Sequence, residues 1–454
     1  MKRRDMLKAA SVGIGALASG ADPAWSRSTV ARAADAHSET TDVLVIGGGP
    51  AGTIAAIQAA RAGARTTLVE MGSQLGGTTT TGGVSFPGLF HAWKKQVIAG
   101  IGWELVTKAV ALDGGKFPDF SVIPKRHSMQ QVRINGQLYA ALVEEACLEA
   151  GVALGYYQFP RTVKAVEGGW QVEVLGKGVQ RQIFAKQLID CTGGADVVGL
   201  IGLPRLREAV IQPGTLIFQI GDCQLDRLDG KLIQQRYEAA LQRGDLQPGD
   251  YASAGGQFVN FIRGGGSNAQ HVFGADSSTA QTQTEANIAG RRSVLRLIRF
   301  IRALPGCEGA RVLRMQTETG IRETYRIVGE TQITVGDYTS GRVFSDAVCY
   351  SFYPVDLHDE KGVKPEPLPE GTVPTVPLGA LVPKGSRNLL VAGRSVCSDR
   401  LANSALRVQA SCMAMGQAAG AAAALAVKGQ CSPPEVPLAE LKKLLRAHAA
   451  IVPG

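Results

Sequence analysis

The sequence predicts an α/β fold that combines a parallel sheet with a β-meander and an inserted α+β region. Residues 42–46 form a short apolar, β-branched run, which is the composition of a buried parallel strand. A glycine-rich turn, an alanine-rich helical stretch and a second strand-like run at 65–69 follow directly. Three further strand-like runs, at 162–166, 170–175 and 179–184, are joined by glycine-containing turns and indicate the meander.

The first strand and helix are joined by three glycines at GxGxxG spacing. Gly47 permits a tight turn, Gly49 lets the backbone approach a pyrophosphate, and Gly52 lets the helix pack closely on the strand. The helix N-terminus offers free N–H groups to the same anion. Glu70, at the end of the second strand, can accept hydrogen bonds from ribose hydroxyls. These features predict a dinucleotide site; the glutamate argues against NADP, while FAD and NAD both stay open.

Residues 1–33 have the pattern of a targeting segment rather than of a fold. Arg3 and Arg4 form a twin-arginine pair, an apolar run at 9–18 follows, and residues 31–33 offer a small-residue cleavage site. We therefore expect a Tat-type signal peptide, a leader at 34–41 and a periplasmic protein. The alternative is a chance basic N-terminus. Because Tat export moves folded proteins, a cofactor can be inserted before export.

The composition argues against several classes of protein. The 454 residues suffice for two or three domains, and no apolar run reaches the roughly 20 residues expected of a membrane span. The net charge of +9 comes without a basic tail, so we do not expect nucleic-acid binding. None of the eight cysteines belongs to a CxxC pair, so we expect no metal centre and no redox-active disulfide.

The middle of the chain lacks regular strand–helix alternation. Strands are expected at 215–220, 257–262 and 270–273, and one long helix at 278–304, whose arginines form a solvated face. The glycines at 264–266 have no following helix and no terminal acid, so we expect no second nucleotide unit for NAD(P)H.

Two dense polar patches provide candidate catalytic side chains. Arg322 is flanked by glycine and apolar residues, a poor place for a purely solvating charge; the alternative is a buried ion pair with Glu323 or Glu330. The second patch places Tyr353 and His358 close in sequence. His358 is the best candidate for a general acid or base, because histidine titrates near neutral pH, and Tyr353 can share that task.

The last part of the fold begins with a strand that ends at Arg394. An alanine-rich helix is expected at 405–428, with Gly416 and Gly420 on one face, where they allow very close packing against the first helix. Its N-terminus, directly after Ser404, is expected to present N–H groups to negative charge on a ligand.

Six blocks of sequence together resemble one known family. They are DVLVIGGGPAG with Glu70, QLGG, LIDCTGGADVVGLIG, TETGIRETYRIVGE, SFYPVDLH and NLLVAGRSVCSDRLANSALRVQASCMAMGQAAG. These blocks resemble the FAD-dependent oxidoreductases of the glutathione reductase-like superfamily, in its fumarate reductase-like branch. One turn reads Thr-Gly-Gly-Ala-Asp where relatives often have Thr-Gly-Asp-Gly-Asp, which leaves the role of the missing acid open.

The resemblance implies a Rossmann-type FAD-binding domain and noncovalent FAD. Several relatives with a covalently bound flavin carry a histidine in the loop that follows Gly77, whereas here the first histidine is His91. The implied domains are FAD-binding at 40–205 and 376–430, substrate or cap at 206–375, and a C-terminal helix or tail at 431–454. The implied FAD contacts are Gly47, Gly49, Pro50, Ala51, Gly52, Glu70, Met71, Gly76, Gly77, Thr78, Gly82, Val163, Thr192, Gly193, Gly393, Arg394, Ser404, Ala405 and Leu406.

The resemblance and the candidate residues together predict a flavoenzyme that moves a hydride between a small organic substrate and the N5 atom of FAD. Its electrons are expected to be exchanged with a quinone, a carrier protein or oxygen. Arg322 and Arg394 are expected to hold an anionic substrate or the C2 carbonyl region of the flavin. Two alternatives stay open: a flavin-containing enzyme without net redox chemistry, such as an isomerase or synthase, and an electron-transfer subunit without its own substrate.

Overall fold

The structure, a computed structural model, describes residues 37–252, 256–359, 362–363 and 365–454. The predicted signal peptide lies outside the described residues. The first strand begins at His37 and therefore takes in the second half of the predicted leader.

The strands and helices are numbered separately in chain order. The strands are β1 (His37–Ile46), β2 (Thr66–Glu70), β3 (His91–Ala92), β4 (Lys95–Gln96), β5 (Ala153–Tyr156), β6 (Gln158–Val166), β7 (Gly169–Gly176), β8 (Val179–Asp190), β9 (Arg205–Leu206), β10 (Phe218–Gly221), β11 (Gly266–Ser267), β12 (Arg311–Met315), β13 (Arg326–Ile327), β14 (Ala347–Tyr350), β15 (His358–Asp359), β16 (Gly362–Val363), β17 (Thr375–Pro377) and β18 (Leu389–Val391). The helices are α1 (Pro50–Arg61), α2 (Ile101–Leu112), α3 (Gly136–Glu149), α4 (Asp196–Leu200), α5 (Gly230–Arg243), α6 (Phe258–Arg263), α7 (Ala280–Arg302), α8 (Val335–Ser340), α9 (Arg400–Leu406), α10 (Gln409–Gly429) and α11 (Leu438–Ala447).

A seven-stranded sheet carries the fold, in the order β5-β2-β1-β8-β7-β6, with β18 also pairing with β8. Strand β1 runs parallel to β2 and β8, and β2 runs parallel to β5. Strands β6, β7 and β8 form an antiparallel meander. The predicted α/β fold with a parallel sheet and a meander is therefore confirmed.

Strand β8 continues beyond the meander strand predicted at 179–184 and ends at Asp190. No proline or glycine interrupts it, so the backbone stays extended. Its first half pairs with β7, its second half pairs in parallel with β18, and β1 pairs along its other edge. The carboxyl end of β8 therefore lies between the glycine turn after β1 and the loop after β18.

Helices α1 and α10 pack backbone against backbone. A Cβ at Gly416 would lie 2.1 Å from the carbonyl oxygen of Ala51, and a Cβ at Gly420 would lie 2.2 Å from that of Ala55. The close packing predicted for these two glycines is confirmed. Among the described helices, α10 alone is long and apolar enough to span a membrane, but 83% of its apolar stretch is buried in the protein, as in a core helix.

A second hydrophobic core lies within residues 216–310 and is built from β10, α5, α6 and α7. Buried residues between 327 and 368, which belong to the predicted cap region, instead pack into the larger core around the sheet. The inserted region thus contributes to both cores, and the domain boundaries stay a prediction.

The prediction of two strands in the inserted region, at 257–262 and 270–273, is wrong. Residues 257–262 fall on helix α6, because their apolar side chains recur at helical spacing and Gly264 ends the helix. Residues 270–273 contain only an isolated bridge between Val272 and Gly214. The long helix is confirmed as α7, although one arginine of its expected solvated face, Arg296, forms an ion pair with the buried Asp250 at 2.6 Å.

The eight cysteines are free thiols, and six of them are buried. In the part of the chain that the structure describes, no group of three or more His, Cys, Asp or Glu side chains is placed to hold a metal ion.

Candidate active site

The turn between β1 and α1 has the geometry of an anion-binding site. Gly47 has a φ of +99°, and a Cβ at Gly52 would lie 1.8 Å from the Gly47 carbonyl oxygen, so neither position accepts a side chain. Gly49 faces open space, with no described atom within 4 Å of where its Cβ would be. No described side chain caps α1, which begins at Pro50. Free N–H groups beside an open backbone face fit a pyrophosphate.

Glu70, at the end of β2, lies beside this turn and is hydrogen-bonded to its backbone. Its carboxylate accepts hydrogen bonds from the N–H groups of Gly48 and Gly72, both at 2.6 Å. Burial raises the pKa of Glu70, and these two N–H groups oppose the shift. Each carboxylate oxygen keeps a further lone pair, so Glu70 can still accept a ribose hydroxyl. The neighbouring Met71 is largely exposed.

The loop at residues 76–83, which contains four consecutive threonines at 78–81 and is called the threonine loop below, packs directly on the glycine turn between β1 and α1. A Cβ at Gly77 would lie 2.9 Å from the Cα of Gly49. Thr79 is fully buried and donates from Oγ1 to Oε1 of Gln409 at 2.7 Å, which fixes the loop to the start of α10. Thr78 stays half-buried. The loop is therefore held by the other end of the chain.

His91, the first histidine after this loop, lies in an aromatic cluster. Its ring stacks on Phe120 with centroids 3.7 Å apart and an interplanar angle of 8°, and it meets Trp103 edge-on at 5.5 Å. Burial lowers its pKa. Aromatic side chains therefore occupy both the face and the edge of this imidazole.

Arg394 ties the carboxyl end of β8 to the segment that carries Arg322. The carbonyl of Gly193 accepts from Arg394 Nε at 2.7 Å and from the hydroxyl of Thr324 at 2.9 Å. Arg394 Nη1 also donates to the carbonyl oxygen of Ile321 at 2.6 Å. Burial lowers the pKa of Arg394. Its guanidinium thus holds two backbone segments together where the predicted catalytic and cofactor residues meet.

The chain expected to form one helix at 405–428 forms two. Helix α10 begins at Gln409 because the preceding Val408 is extended. The helix start expected just after Ser404 is therefore wrong. The three predicted contacts in this stretch lie inside α9 and are fully buried: Ser404, Ala405 and Leu406.

Most of the other predicted cofactor contacts lie on turns at the carboxyl ends of β1, β2, β8 and β18, where parallel strands commonly place a ligand. We call this group of turns the cofactor cradle. Val163 lies apart from them, buried in β6, where it pairs with Val172. The residues of the cofactor cradle are Gly47, Gly49, Pro50, Ala51, Gly52, Glu70, Met71, Gly76, Gly77, Thr78, Gly82, Thr192, Gly193 and Gly393.

A second group of side chains, which we call the polar cluster, is connected by hydrogen bonds or by the interaction of its charges. It brings together three of the predicted catalytic residues and four others, and Arg394 reaches it through the backbone of Ile321. The members of the polar cluster are Gln212, His271, Arg322, Tyr353, Asp356, His358 and Arg407.

Arg322 is a buried cation. The residue is only 8% exposed. Its guanidinium donates to the carbonyl oxygen of Pro213 at 2.6 Å and to Oδ1 of Asn268 at 3.3 Å. Among the described residues it forms no ion pair with a carboxylate. Burial and the charge of Arg407 lower its pKa to about 9, which still leaves it charged at neutral pH.

The ion pair considered as an alternative for Arg322 is wrong. The carboxylate of Glu323 pairs instead with Arg326 at 3.1 Å and with Arg400 at 3.3 Å. Glu330 accepts from the backbone N–H of Gly385. Arg322 therefore has no described carboxylate at ion-pair distance and interacts with Asp356 only at longer range, so a ligand that supplies a counter-charge would be favoured there.

Asp356 is the carboxylate of the polar cluster. Its Oδ2 lies 3.2 Å from Nε2 of His358 and 3.7 Å from Nη2 of Arg407. Burial alone would raise its pKa, but His358, Arg407 and Arg322 outweigh burial and lower the pKa to about 2. Asp356 is therefore ionised at neutral pH, and its backbone N–H donates to Oγ of Ser404 at 3.0 Å.

His358 connects Asp356 to a second buried histidine. Its Nδ1 lies 3.0 Å from Nε2 of His271. Burial and Arg322 lower the pKa of His358 to about 4, although Asp356 opposes the shift. Burial, Arg322 and His358 lower the pKa of His271 to about 3. Both rings are therefore neutral at neutral pH, and both nitrogens of His358 are engaged.

Tyr353 is held at the margin of the polar cluster by two contacts. Its hydroxyl oxygen accepts from Nε2 of Gln131 at 3.0 Å, and its ring meets that of His127 edge-on at 4.9 Å. Burial raises the pKa of Tyr353, so it stays a neutral phenol that can still donate its own proton in a hydrogen bond.

Three buried atoms of the polar cluster lack a hydrogen-bond partner among the described residues: Nε2 of Gln212, Nδ1 of His271 and Nε of Arg407. Such atoms are uncommon inside proteins, so three of them in one network indicate that a ligand completes it. Two of the atoms are donors, and the third belongs to a neutral imidazole.

A sequence model of one protein family, described as FAD dependent oxidoreductase, matches residues 42–445. The chain belongs to the FAD-dependent oxidoreductase family. It is therefore an oxidoreductase with FAD as its cofactor, and the match includes both the cofactor cradle and the polar cluster.

Individual proteins resemble this FAD-dependent oxidoreductase either over a short stretch or at low sequence identity. Mitochondrial dihydrolipoyl dehydrogenase from Pisum sativum is 48% identical over 54 residues, which cover 12% of this chain and 11% of that protein. The structure of a geranylgeranyl bacteriochlorophyll reductase-like protein from Thermoplasma acidophilum is 13% identical, with 90% and 84% of the two chains covered and a TM-score of 0.42. CabE, an aromatic hydroxylase from angucycline biosynthesis, is 13% identical, with 90% and 66% covered and a TM-score of 0.38. These similarities are too weak to bear on the substrate.

The residues of the cofactor cradle fit FAD. The open face at Gly49 and the uncapped start of α1 suit its pyrophosphate, and Glu70 suits the adenosine ribose. The carboxyl end of β8 and the threonine loop lead from this point toward the polar cluster, because Thr79 and Arg394 hold them to α10 and to the backbone next to Arg322.

Sequence reasoning missed four members of the polar cluster and one residue of the threonine loop: Gln212, His271, Asp356, Arg407 and Thr79. Arg407 had a usable signal, since it is a single charge in an otherwise alanine-rich block. His271 has none, because the short run at 270–273 in which it lies has the composition of a strand.

Proposed function

We propose that this FAD-dependent oxidoreductase moves a hydride between FAD and a small organic anion bound in the polar cluster. The observation that supports an anionic substrate is the environment of Arg322. It is a buried guanidinium whose described hydrogen bonds all go to uncharged oxygens. With Arg407 it gives the cluster two cations against the single carboxylate of Asp356. A carboxylate on the substrate would balance the remaining charge, because guanidinium groups bind carboxylates through paired hydrogen bonds.

In this proposal, bound FAD supplies the hydride acceptor or donor at N5. The chain supplies the other functions. Arg322 and Arg407 bind and orient the anion, and the buried surroundings exclude water. The His271–His358 pair takes up or returns a proton, and the Tyr353 hydroxyl can share in hydrogen bonding to the substrate.

The proposed FAD is noncovalent. The threonine loop contains no histidine, and the nearest one in sequence, His91, has its ring stacked on Phe120. After denaturation and centrifugation, the yellow colour should stay in the supernatant. Colour in the pellet would show a covalent bond and contradict this part of the proposal.

The proposed electron partner is a quinone, a carrier protein or oxygen rather than a nicotinamide. The glycines at 264–266 lead from α6 into β11, not from a strand into a helix, so they do not form a second nucleotide turn. We expect flavin reduced by substrate to be reoxidised by a quinone analogue, a redox dye or oxygen. Rapid reoxidation by NAD⁺ or NADP⁺ would contradict this expectation.

We also propose Tat-dependent export to the periplasm and membership of the fumarate reductase-like branch. Export is supported by Arg3 and Arg4 and the segment that follows them, and the branch by the blocks around Arg322 and His358. Replacing both arginines by lysine should keep the full-length precursor in the cytoplasm. Unchanged delivery to the periplasm would contradict Tat export.

The decisive experiment is anaerobic mixing of FAD-loaded protein with a panel of small carboxylates, some oxidisable and, for pre-reduced protein, some reducible. We expect one class to change the flavin spectrum in the wild type and in Arg291→Gln, a variant of an exposed helix residue, but not in Arg322→Gln. Turnover of an anion without any flavin or dye redox change would support the isomerase or synthase alternative. If no anion binds at all, the electron-transfer subunit becomes the better explanation.

A further inference from the structure

The polar cluster contains a linear chain of three buried groups. Oδ2 of Asp356 lies 3.2 Å from Nε2 of His358, and Nδ1 of His358 lies 3.0 Å from Nε2 of His271. All three residues are at most 9% exposed. The chain ends at Nδ1 of His271, which is buried and has no partner among the described residues.

The ionised carboxylate sets the direction of both hydrogen bonds. A carboxylate can only accept, so Nε2 of His358 carries the hydrogen. Because the His358 ring is neutral, its Nδ1 has a lone pair and accepts from the N–H at Nε2 of His271. The His271 ring is also neutral, so its own Nδ1 has no hydrogen. The free lone pair of the network is therefore on His271, at the end of the chain.

We propose that His271 Nδ1, rather than His358, is the atom that takes up and returns the proton of the reaction, and that His358 and Asp356 are positioning residues. This inference rests on the proposed function of the polar cluster. In the proton step, an O–H, N–H or C–H bond of the substrate breaks, its electron pair stays on the substrate, and the proton bonds to Nδ1. The imidazolium that forms keeps its N–H at Nε2 in the bond to His358.

The surroundings allow this proton to be held and then released. The positive charge of Arg322 and the neighbouring His358 oppose protonation of His271, whereas Asp356 and Asp359 favour it. His358 passes the effect of the Asp356 carboxylate to His271 by fixing the tautomer of both rings. The charge of an anion bound at Arg322 would offset the guanidinium and favour proton uptake by His271, and the cation favours release of the proton once the anion has left.

The first test measures the tautomers directly and needs no substrate. The chain has six histidines, so ¹⁵N-histidine labelling of the FAD-loaded protein gives a spectrum that single variants can assign. We expect both His271 and His358 to carry the hydrogen at Nε2. We expect the Asp356→Asn variant to lose this preference, and the His448→Gln control to retain it. A hydrogen on Nδ1 of His271 in the wild type would overturn the inference.

The second test uses the pH dependence of kcat/KM. His271→Gln should lower the rate by roughly 10²-fold or more and remove the acidic limb of the profile. His358→Gln should keep the limb but change its position, because it replaces the hydrogen-bond partner of Nε2 while Nδ1 of His271 stays free to take up the proton. Added imidazole should restore part of the activity of His271→Gly. Retained FAD and an unchanged melting temperature would show that each variant folds.

The two tests separate this inference from the proposed function. If the limb disappears in His358→Gln and persists in His271→Gln, the proton-carrying role belongs to His358 while the oxidoreductase proposal stands. If the wild type acts on no anion, the proposed function fails, and with it the assignment of a reaction proton to His271. The tautomer spectrum then still decides whether His271 carries the free nitrogen.

Discussion

The cofactor cradle and the polar cluster present different kinds of group to their ligands. At the turn between β1 and α1, the groups are backbone N–H groups and an open glycine face within a single short segment. In the polar cluster they are side chains from segments as far apart as Gln212 and Arg407. A ligand that is the same throughout a family can be met by backbone, whereas side chains can differ between proteins with different substrates.

A second contrast lies within the site, between two buried arginines four positions apart. Arg326 is enclosed by the carboxylates of Glu323 at 3.1 Å and Glu208 at 2.6 Å. Arg322 has only uncharged acceptors among the described residues. The first arginine is part of the protein's own ion-pair network, and the second is available to a ligand. Buried arginines can therefore be sorted by what compensates their charge.

The largest expected effect concerns the close backbone packing of α10 on α1, the helix that begins at the glycine turn of the cofactor cradle. Gly416→Val should unfold the protein or abolish FAD retention, with a loss of more than about 5 kcal/mol in unfolding free energy, because its Cβ would enter the carbonyl oxygen of Ala51. Ala414→Val, at a half-buried position of the same helix, should cost below about 1 kcal/mol. Urea unfolding and FAD content measure both. Equal losses in the two variants would show that the close contact is not required.

The next effect sharpens the comparison of the two arginines. Arg326→Met should lower the unfolding free energy by about 3 kcal/mol, because it leaves the buried Glu323 with one weaker partner. Arg322→Met should lower it by less than about 1 kcal/mol, since it removes an unpaired buried charge. Only the latter change should reduce kcat/KM by roughly 10²-fold while the fold stays stable. Equal destabilisation by both would indicate that the protein itself compensates Arg322.

A third prediction concerns acid stability. Histidine in an unfolded chain takes up a proton near pH 6.5, whereas folded His358 and His271 resist until about 4 and about 3. Between these values the unfolded state binds more protons, so these two groups lower the unfolding free energy as pH falls. For His358 alone the loss is about 3 kcal/mol, and His271 adds a loss of at least similar size. Burial raises the pKa of Asp190 to about 6, which acts in the opposite direction in part of the same window.

A double variant isolates the histidine contribution. The unfolding free energies of the wild type and of His271→Gln/His358→Gln are compared at neutral pH and near pH 4. The double variant should lose less stability on acidification than the wild type. Parallel curves would show that the two buried rings do not resist protonation.

The smallest expected effect concerns the threonine loop. Thr79→Val removes the hydrogen bond to Gln409 and should weaken FAD binding by about 1 kcal/mol, or about fivefold in Kd. Thr81→Val, at a half-buried hydroxyl that accepts only from Gln74 in the described network, should change Kd less. Fluorescence titration of the apoprotein with FAD measures both. The idea that α10 positions this loop fails if the control weakens binding more than Thr79→Val does.

The fold and the cofactor cradle could be predicted because their signals are local. The strand at 42–46, the glycines at 47, 49 and 52, and Glu70 lie within one short stretch whose spacing has a mechanical cause. The glycines of α10 were also predictable, because Gly416 and Gly420 repeat at helical spacing.

The polar cluster could be predicted only in part. Arg322, Tyr353 and His358 stood out as polar groups in apolar surroundings. That both nitrogens of His358 are engaged depends on His271, which another segment brings to it. The break at Val408 was missed because its residues suit a continuous helix, and tertiary packing decides where the backbone turns.

The contact between α1 and α10 also orders events during synthesis of the protein. The ribosome makes the glycine turn long before it makes the helix that packs on it and the Gln409 that fixes the threonine loop. Domains usually fold as they are completed, and this cofactor site is complete only once α10 has been made. A chain terminated before α10 would carry the dinucleotide motif without a finished site for its cofactor.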